Sequence, residues 1–320
     1  MKQYILCSIL ISIPFFTIAQ AIDNTLSFKN INTDRYFRIN YENDFFSATD
    51  IYYTQGIHIE VVSPGLKQFP LSKLLVCPNY TNIKYGIGAE HDGYTPTTIR
   101  SDEIQYGDRP FAACLFLKTF LEATDESKRQ KISATLSTGL IGPGAGGKEM
   151  QTTIHRWLNG VHPHGWQYQI SNDAILNYQL DYEKQLVSYG HVLSINADAM
   201  GRAGTLSDKA AGGFTLMAGY LDDPFRVIAS TKKNFRIYAY EHPEIDIIGY
   251  DATLEGGVFD HNSPYTITTN NISRIVLQNR FGFVVQYQRV WLEYFQSYLS
   301  REFKTGNYHV WGGIQVVFAF

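Results

Sequence analysis

The chain ends on HVWGGIQVVFAF, residues 309–320, and the character of its residues alternates up to the last one. In an extended strand, one face would carry Val310, Gly312, Ile314, Val316, Phe318 and Phe320. An alternating final strand that closes on an aromatic residue is typical of barrels inserted into the bacterial outer membrane. The segment therefore predicts a membrane β-barrel, and the alternative is an ordinary C-terminal strand.

The same alternation recurs through the chain, at residues 35–45, 52–62, 83–90 and 275–287. In the first of these segments Arg38, Glu42 and Asp44 fall on one face, opposite Phe37 and Ile39. The polar faces carry paired charges and amides, whereas the opposite faces are rich in aromatic residues. This pattern predicts a polar lumen and a lipid-facing exterior. A soluble β-sandwich is the remaining alternative for the fold.

The segments add up to an all-β fold, a 12-stranded antiparallel transmembrane β-barrel of the outer membrane. We predict its strands at residues 35–46, 52–62, 82–93, 109–121, 130–141, 168–184, 187–200, 211–221, 234–257, 273–286, 288–299 and 308–320. The ninth strand contains His242-Pro243, interpreted as a bulge or kink. Between the fifth and sixth strands, the glycine-rich entry of residues 142–147 precedes a short helix predicted at 148–159, in an extracellular loop.

The N-terminus and the composition place the chain in the cell. Lys2 precedes an apolar run and Ala19-Gln20-Ala21, which predicts a signal peptide over residues 1–21 and a single barrel domain over 22–320. The net charge of −3 argues against a nucleic-acid partner. Once Cys7 leaves with the signal peptide, two cysteines remain, and these suggest no disulfide framework.

Counting strands from a periplasmic N-terminus brings several polar residues to one outer rim. Asn43 and Asp44 end the first strand, Thr54 lies across the hairpin, and the helical insert follows the fifth strand. A carboxylate and an amide are oxygen ligands suited to Ca²⁺, although an Asn-Asp pair often makes only a turn. A bulge or the start of a loop near Asn43 would let both side chains point inward.

The helical insert supplies a candidate base, His155. Imidazole exchanges protons near neutral pH, so His155 could activate a water molecule, and Gln151 lies one helical turn before it. The alternative is a capping loop with a solvated histidine. Arg109 could bind a phosphate or carboxylate through two hydrogen bonds, or form a lumen salt bridge with Asp44 or Glu42. Arg100 is a second candidate phosphate contact.

Taken in order, several motifs resemble those of the lipid A 3′-O-deacylases of the outer membrane. They are ENDFF at 42–46, YYTQG at 52–56, YTP at 94–96, GDRPFA at 107–112, GPGAGGKEMQTTIH at 142–155, GW at 165–166 and the closing strand. The resemblance spans nearly the whole mature chain. It implies Ca²⁺-dependent hydrolysis of an ester-linked acyl chain on lipid A, the membrane anchor of lipopolysaccharide, by a protein we expect to be monomeric.

The resemblance also implies roles for individual residues. Asn43 and Asp44 would serve Ca²⁺ and the oxyanion, Thr54 and Gln151 would contact the reacting groups, and His155 would be the general base. Two positions depart from the family's pattern. Val161 stands where a family member has a glutamate, six residues after the histidine, and a lysine of the second outer loop has no counterpart unless Arg100 replaces it.

Two other functions fit a barrel of this kind. The first is a phospholipase A acting on glycerophospholipid, a class that uses a serine nucleophile with histidine and asparagine, but no serine stands obviously beside His155. The second is a non-enzymatic pore or binding barrel. Charges predicted to face the lumen would then line the channel, namely Glu60, Lys84, Arg274 and Arg280.

Overall fold

The computed structural model describes residues 31–47, 51–80, 82–157, 159–226 and 235–320. The expected signal peptide, residues 1–21, lies outside these ranges. The described residues form twelve antiparallel strands closed into one barrel, which confirms the prediction. No helix within these ranges is both long and apolar enough to cross a membrane.

Each strand pairs with its neighbours in the sequence, and the first pairs with the last. The strands are β1 Tyr36–Asn43, β2 Tyr52–Val62, β3 Asn82–Thr95, β4 Ala112–Asp125, β5 Gln130–Ile141, β6 Asp173–Tyr189, β7 Leu193–Gly204, β8 Ser207–Tyr220, β9 Phe235–Asp251, β10 Ile275–Tyr287, β11 Val290–Leu299 and β12 His309–Ala319. The α-helices are α1 Gly147–Trp157 and α2 Ala252–Glu255. Short 3-10 turns cover Asp44–Ser47, Pro64–Gln68, Pro70–Leu74, Pro143–Ala145, Trp166–Tyr168 and Thr269–Asn271.

The closing strand β12 also shapes the rim where β1 ends. Its register with β1 runs from Tyr36↔Ala319 to Asn43↔Gly312, so the sheet has no free edge. A Cβ atom on Gly312 would lie 2.7 Å from the Cβ of Phe46. Glycine at this position therefore lets the turn after β1 pack directly on the barrel wall.

The two faces of the strands are divided as the alternation predicts. In β1, Arg38 and Glu42 are buried in the lumen, whereas Ile39 between them is 39% exposed on the outer surface. Lipid covers that outer surface in the membrane, so the exposed side chain of Ile39 contacts apolar acyl chains and not water.

The lumen is filled by charged side chains that contact one another. Arg38 pairs with Glu60, and Lys209 reaches Asp246 at 3.0 Å. Arg280 lies 3.5 Å above the ring of Phe295. Such pairing closes the interior of a narrow barrel and gives no support to a water-filled pore.

One residue assigned to the lumen lies elsewhere. Arg274 donates to the carbonyl of Gly249 at 2.6 Å and lies 3.7 Å from Glu255, and its side chain is 37% exposed. The reason is that β10 begins at Ile275, so Arg274 belongs to the loop at the rim.

Several predicted boundaries were displaced, and one of two predicted irregularities is absent. The hairpin predicted at residues 185–186 is formed by residues 190–192, because alternation continues through the true turn and does not mark it. At His242-Pro243, where a bulge or kink was predicted, there is no bulge, since Gly213↔Glu244 and Leu216↔Glu241 keep one register on either side, and β9 runs through this point without a break. Proline lacks the N–H group that the ladder needs, so only the pairing beside it is interrupted.

Candidate active site

The first strand ends in a turn that is held by Asn43. Its Oδ1 accepts a hydrogen bond from the backbone N–H of Phe45 at 2.7 Å, and its Nδ2 donates to the carbonyl of Thr54 at 2.6 Å. Asp44, the first residue of the turn, is 2% exposed. Of the two expectations for this point, the structure shows the start of the loop and not a bulge at Asn43.

The bulge lies instead on the neighbouring strand, at Thr54. The register of β2 with β3 shifts between Tyr53 and Gln55, so Thr54 is the extra residue. A regular strand would turn alternate side chains outward, yet Tyr53, Thr54 and Gln55 are all buried. A bulge re-aims side chains in this way, and here it presents the Thr54 hydroxyl to the helical insert.

The insert between β5 and β6 is seated by glycines at its entry. Gly142 and Gly146 adopt φ angles of +108° and +76°, which residues with a side chain rarely adopt. A Cβ atom on Gly147 would lie 2.5 Å from the Cβ of Ala113 and 2.7 Å from the ring of Trp166. The first turn of α1 therefore lies directly on the start of β4.

Three side chains form a chain of hydrogen bonds from the insert to the barrel wall. The indole Nε1 of Trp166 donates to Gln151 Oε1 at 2.7 Å, and Gln151 Nε2 donates to Thr54 Oγ1 at 3.3 Å. Trp166 and Gln151 are 1% and 2% exposed. The bond from Trp166 fixes which end of the amide is oxygen, so the Gln151 N–H groups lie on the side of Thr54. The role of Trp166 was not predicted from the sequence, although a buried indole N–H nearly always needs an acceptor.

His155 lies one turn after Gln151 and is only half-buried. Its Nδ1 lies 2.6 Å from the carbonyl oxygen of Val161. A carbonyl oxygen only accepts hydrogen bonds, so Nδ1 carries the proton, and a neutral ring keeps its lone pair on Nε2. Among the described residues, none hydrogen-bonds to Nε2. Val161 stands where the family pattern has a glutamate, but its backbone carbonyl still orients the imidazole.

Arg109 is buried among loops at the same rim and points away from solvent. It pairs with Glu302 through Nη1, donates to Thr253 Oγ1 at 2.7 Å through Nη2, and lies 4.4 Å above the ring of Tyr94. Burial opposes its charge, but the carboxylates of Glu302 and Asp251 outweigh burial and raise the pKa of Arg109 above its usual range. The salt bridge therefore forms with Glu302 and not with Asp44 or Glu42, and it ties the last outer loop to the second.

Arg100 lies in the second outer loop and is exposed. Its loop contacts the insert, because the carbonyl of the preceding Ile99 accepts a hydrogen bond from the backbone N–H of His164 at 2.7 Å. Of the two arginines predicted to bind substrate, Arg100 is the one whose guanidinium faces solvent beside the insert.

The residues at the end of β1 suit Ca²⁺ as a group. The Asp44 carboxylate is buried, and the Asn43 side-chain oxygen and the carbonyls of the 3-10 turn lie beside it in sequence. All of these donors are oxygen atoms, the ligand type that Ca²⁺ prefers. Asn43 Oδ1 uses one lone pair for Phe45 N–H and keeps a second.

Together, the fold and the rim residues define an outer-membrane β-barrel with a polar site at one end. That site joins a half-exposed imidazole, a buried amide and a buried carboxylate, a set that can move a proton and stabilise negative charge. The chain belongs to the LpxR outer membrane protein family, whose sequence model matches residues 4–320. Membership of this family places the protein in the outer membrane. It also supports the conclusion that the protein is an enzyme that modifies lipid A.

One solved structure shares this fold. LpxR from Salmonella typhimurium is 19% identical and superposes with a TM-score of 0.73, over 89% of this chain and all of that one. The NanC porin (8% identical, TM-score 0.38, covering 89% of this chain and 100% of that one) is much less similar. The β domain of the Bordetella autotransporter BrkA (9%, TM-score 0.45, covering 90% and 99%) is also less similar. No curated protein matches the chain.

Proposed function

We propose that this protein is a Ca²⁺-dependent esterase that removes an ester-linked acyl chain from lipid A, with His155 as the general base. One observation carries the proposal. Helix α1 carries both His155 and Gln151. Gln151 contacts Thr54, which in turn contacts Asn43 at the end of β1, and none of the described residues hydrogen-bonds to Nε2 of His155. The longest outer connection carries this helix, as expected for a loop that faces the outer leaflet, where lipid A resides.

In the reaction, Nε2 of His155 takes a proton from water as the water oxygen attacks the ester carbonyl carbon. The carbonyl oxygen becomes negative in the tetrahedral intermediate. Gln151 Nε2 uses one of its two N–H bonds on Thr54, so the other is available to this oxygen. The imidazolium then returns the proton to the leaving sugar oxygen, which gives a free fatty acid and a hydroxyl group.

Asn43 and Asp44 would hold the Ca²⁺ ion, which when bound supplies positive charge for the developing oxyanion. The Val161 carbonyl keeps the imidazole oriented throughout and stabilises its charged form. Arg100 supplies a positive charge for a phosphate group of lipid A. Arg109 supports the site indirectly, because its ion pair with Glu302 connects two loops of the rim.

The direct test is mass spectrometry of lipid A after incubation with the purified protein in detergent, with Ca²⁺ or with a chelator. We expect loss of one ester-linked acyl chain in the presence of Ca²⁺ and much less with chelator. Glycerophospholipid in a parallel reaction distinguishes a phospholipase A. Release of fatty acid from that lipid alone, or ion conductance in planar bilayers with no acyl release, would refute the proposal.

Replacing Asp44 tests the metal assignment. Asp44→Ala removes a carboxylate ligand, and we expect a large loss of activity that excess Ca²⁺ restores only in part. Activity as a function of Ca²⁺ concentration measures the change, and the matched control is Asp102→Ala, which removes an exposed carboxylate from the second outer loop. A wild-type Ca²⁺ response in Asp44→Ala would assign the ion to other residues.

A further inference from the structure

A second set of possible metal ligands lies inside the barrel, apart from the rim. Asp198 on β7 and His242 and Glu244 on β9 place one nitrogen and two carboxylate oxygens within 4.8 Å of one another. His242 Nε2 lies 3.1 Å from Asp198 Oδ1 and 3.3 Å from Oδ2. His242 and Glu244 are 2% and 8% exposed, and the Asp198 side chain is 3% exposed.

The cluster spans a strand that has no side chain at this position. Gly213 of β8 lies between the two other strands, opposite Asp198 on one side and Glu244 on the other. A Cβ atom there would lie 3.0 Å from both Asp198 Oδ2 and His242 Nε2, and 2.8 Å from the Pro243 carbonyl oxygen. Only glycine leaves the space in which these ligand atoms meet.

The burial of the Glu244 carboxylate is not balanced by a direct contact with any of the described residues. Among the described residues, none forms a hydrogen bond or an ion pair with its carboxylate, although the side chain is more than nine-tenths buried. The nearby Lys209 is used by Asp246, at 3.0 Å. Three carboxylates (Asp198, Glu244 and Asp246) thus face one lysine and one histidine. Buried carboxylates are normally paired or bound to a metal, and this one lies within 4.8 Å of a histidine nitrogen that could share a metal with it.

The other acidic cluster in the lumen shows what a satisfied set looks like. His58, Glu90 and Asp92 are also close together, but Lys118 pairs with Glu90 and the Tyr53 hydroxyl donates to Asp92 at 2.9 Å. Each carboxylate of that cluster therefore has its own donor. The contrast singles out the cluster around Glu244.

We propose that Asp198, His242 and Glu244 bind a divalent transition-metal ion of the Zn²⁺ type within the barrel. Ligands that each lie about 2.1 Å from such an ion are separated by roughly 3.0–3.4 Å, which the His242–Asp198 distances match. An imidazole nitrogen favours Zn²⁺ over Ca²⁺, which takes oxygen ligands. The bound ion would connect β7 to β9 across β8 and neutralise the surplus carboxylate charge.

The test is Zn²⁺ binding to the full-length protein, folded in detergent and stripped with chelator. The background carries His162→Gln and His164→Gln, because these neighbouring histidines of the outer loop could bind zinc themselves. We expect one Zn²⁺ per chain by elemental analysis, a higher Tm with Zn²⁺, and no displacement by equimolar Ca²⁺. Absence of bound zinc, or displacement by Ca²⁺, would overturn the proposal.

Variants locate the ion. Glu244→Gln should weaken the Kd for Zn²⁺ at least tenfold, and Gly213→Ala should do the same by filling the space between the ligands. His58→Gln, in the satisfied cluster, is the matched control and should bind Zn²⁺ as the parent does. Glu244→Gln keeps size and shape and breaks no ion pair, so folding is expected, and heat-modifiable gel mobility checks it. Unchanged Zn²⁺ affinity in Glu244→Gln would place the ion elsewhere and leave the rim site unaffected.

Discussion

Lys118 in the lumen and His155 at the rim are both ionisable side chains of a membrane protein, but their polar atoms meet different surroundings. Lys118 lies between Glu90 and Glu60, and its side chain is 10% exposed. His155 is half-buried, and its ring has one nitrogen bonded to the Val161 carbonyl, while none of the described residues hydrogen-bonds to the other. The first arrangement satisfies the side chain, and the second leaves one atom for a substrate or water.

This difference between Lys118 and His155 shows that ionisable residues stabilise the structure in the lumen, whereas at the rim they are placed for chemistry. In the lumen, charge is buried and must be matched by an opposite charge close by. At the rim, solvent and the lipid headgroups can complete the contacts that the protein leaves open. Breaking a lumen contact should therefore cost stability, and breaking a rim contact should cost activity.

The largest effect is expected for His155→Gln. Loss of a general base should lower kcat by roughly 10²–10⁴-fold, with an unchanged unfolding transition. Mass spectrometry of lipid A measures the rate, and heat-modifiable mobility measures folding. His162→Gln, an exposed histidine of the same insert, is the control and should retain full activity. Equal activity in the two variants would remove His155 from the mechanism.

Lys118→Met tests the lumen side of the comparison. It leaves two buried glutamates without their lysine, and we expect the free energy of unfolding to fall by about 3–5 kcal/mol. Activity per folded molecule should stay near that of the wild type, because the lumen pair does not contact the substrate. Denaturant titration in detergent gives the stability, and Lys67→Met, exposed in the turn Pro64–Gln68, is the matched control. A fall in activity with unchanged stability would reverse the distinction.

A smaller effect is expected for Trp166→Phe, which keeps an aromatic ring but removes the N–H group that holds Gln151. One lost hydrogen bond to a buried amide is worth about 1–3 kcal/mol, so we expect a roughly 5- to 150-fold lower kcat together with a modest loss of stability. Trp157→Phe, at an indole that is 78% exposed, serves as the control. Wild-type kcat in Trp166→Phe would show that Gln151 needs no support from the indole.

The smallest effect should come from Arg100→Gln. An exposed charge that contacts a phosphate contributes up to about 1 kcal/mol, so KM should rise by up to roughly fivefold with kcat unchanged. The increase should shrink at high salt, since screening weakens the contact that is lost. Lys67→Gln, outside the outer loops, controls for the change in net charge. A lower kcat would give Arg100 a role in the chemical step.

Most of the fold was predictable because polar and apolar residues alternate along each strand. Alternation placed Arg38 and Glu42 inside and Ile39 outside, and the count of twelve strands was confirmed. The helix predicted at 148–159 was found at Gly147–Trp157. Turn positions were less predictable, because alternation does not stop where a hairpin turns and Pro243 left the strand register unchanged.

The sequence by itself determined the barrel, its polar interior and the residues that gather at the outer rim, because these follow from a period of two and from strand order. Only the tertiary structure decided which atoms meet. Arg109 pairs with Glu302 from a loop 193 residues later, Trp166 orients Gln151, and a backbone carbonyl orients His155. Such contacts depend on loop packing, on the bulge at Thr54 and on a main-chain oxygen that every residue has, and no local pattern in the sequence marks them.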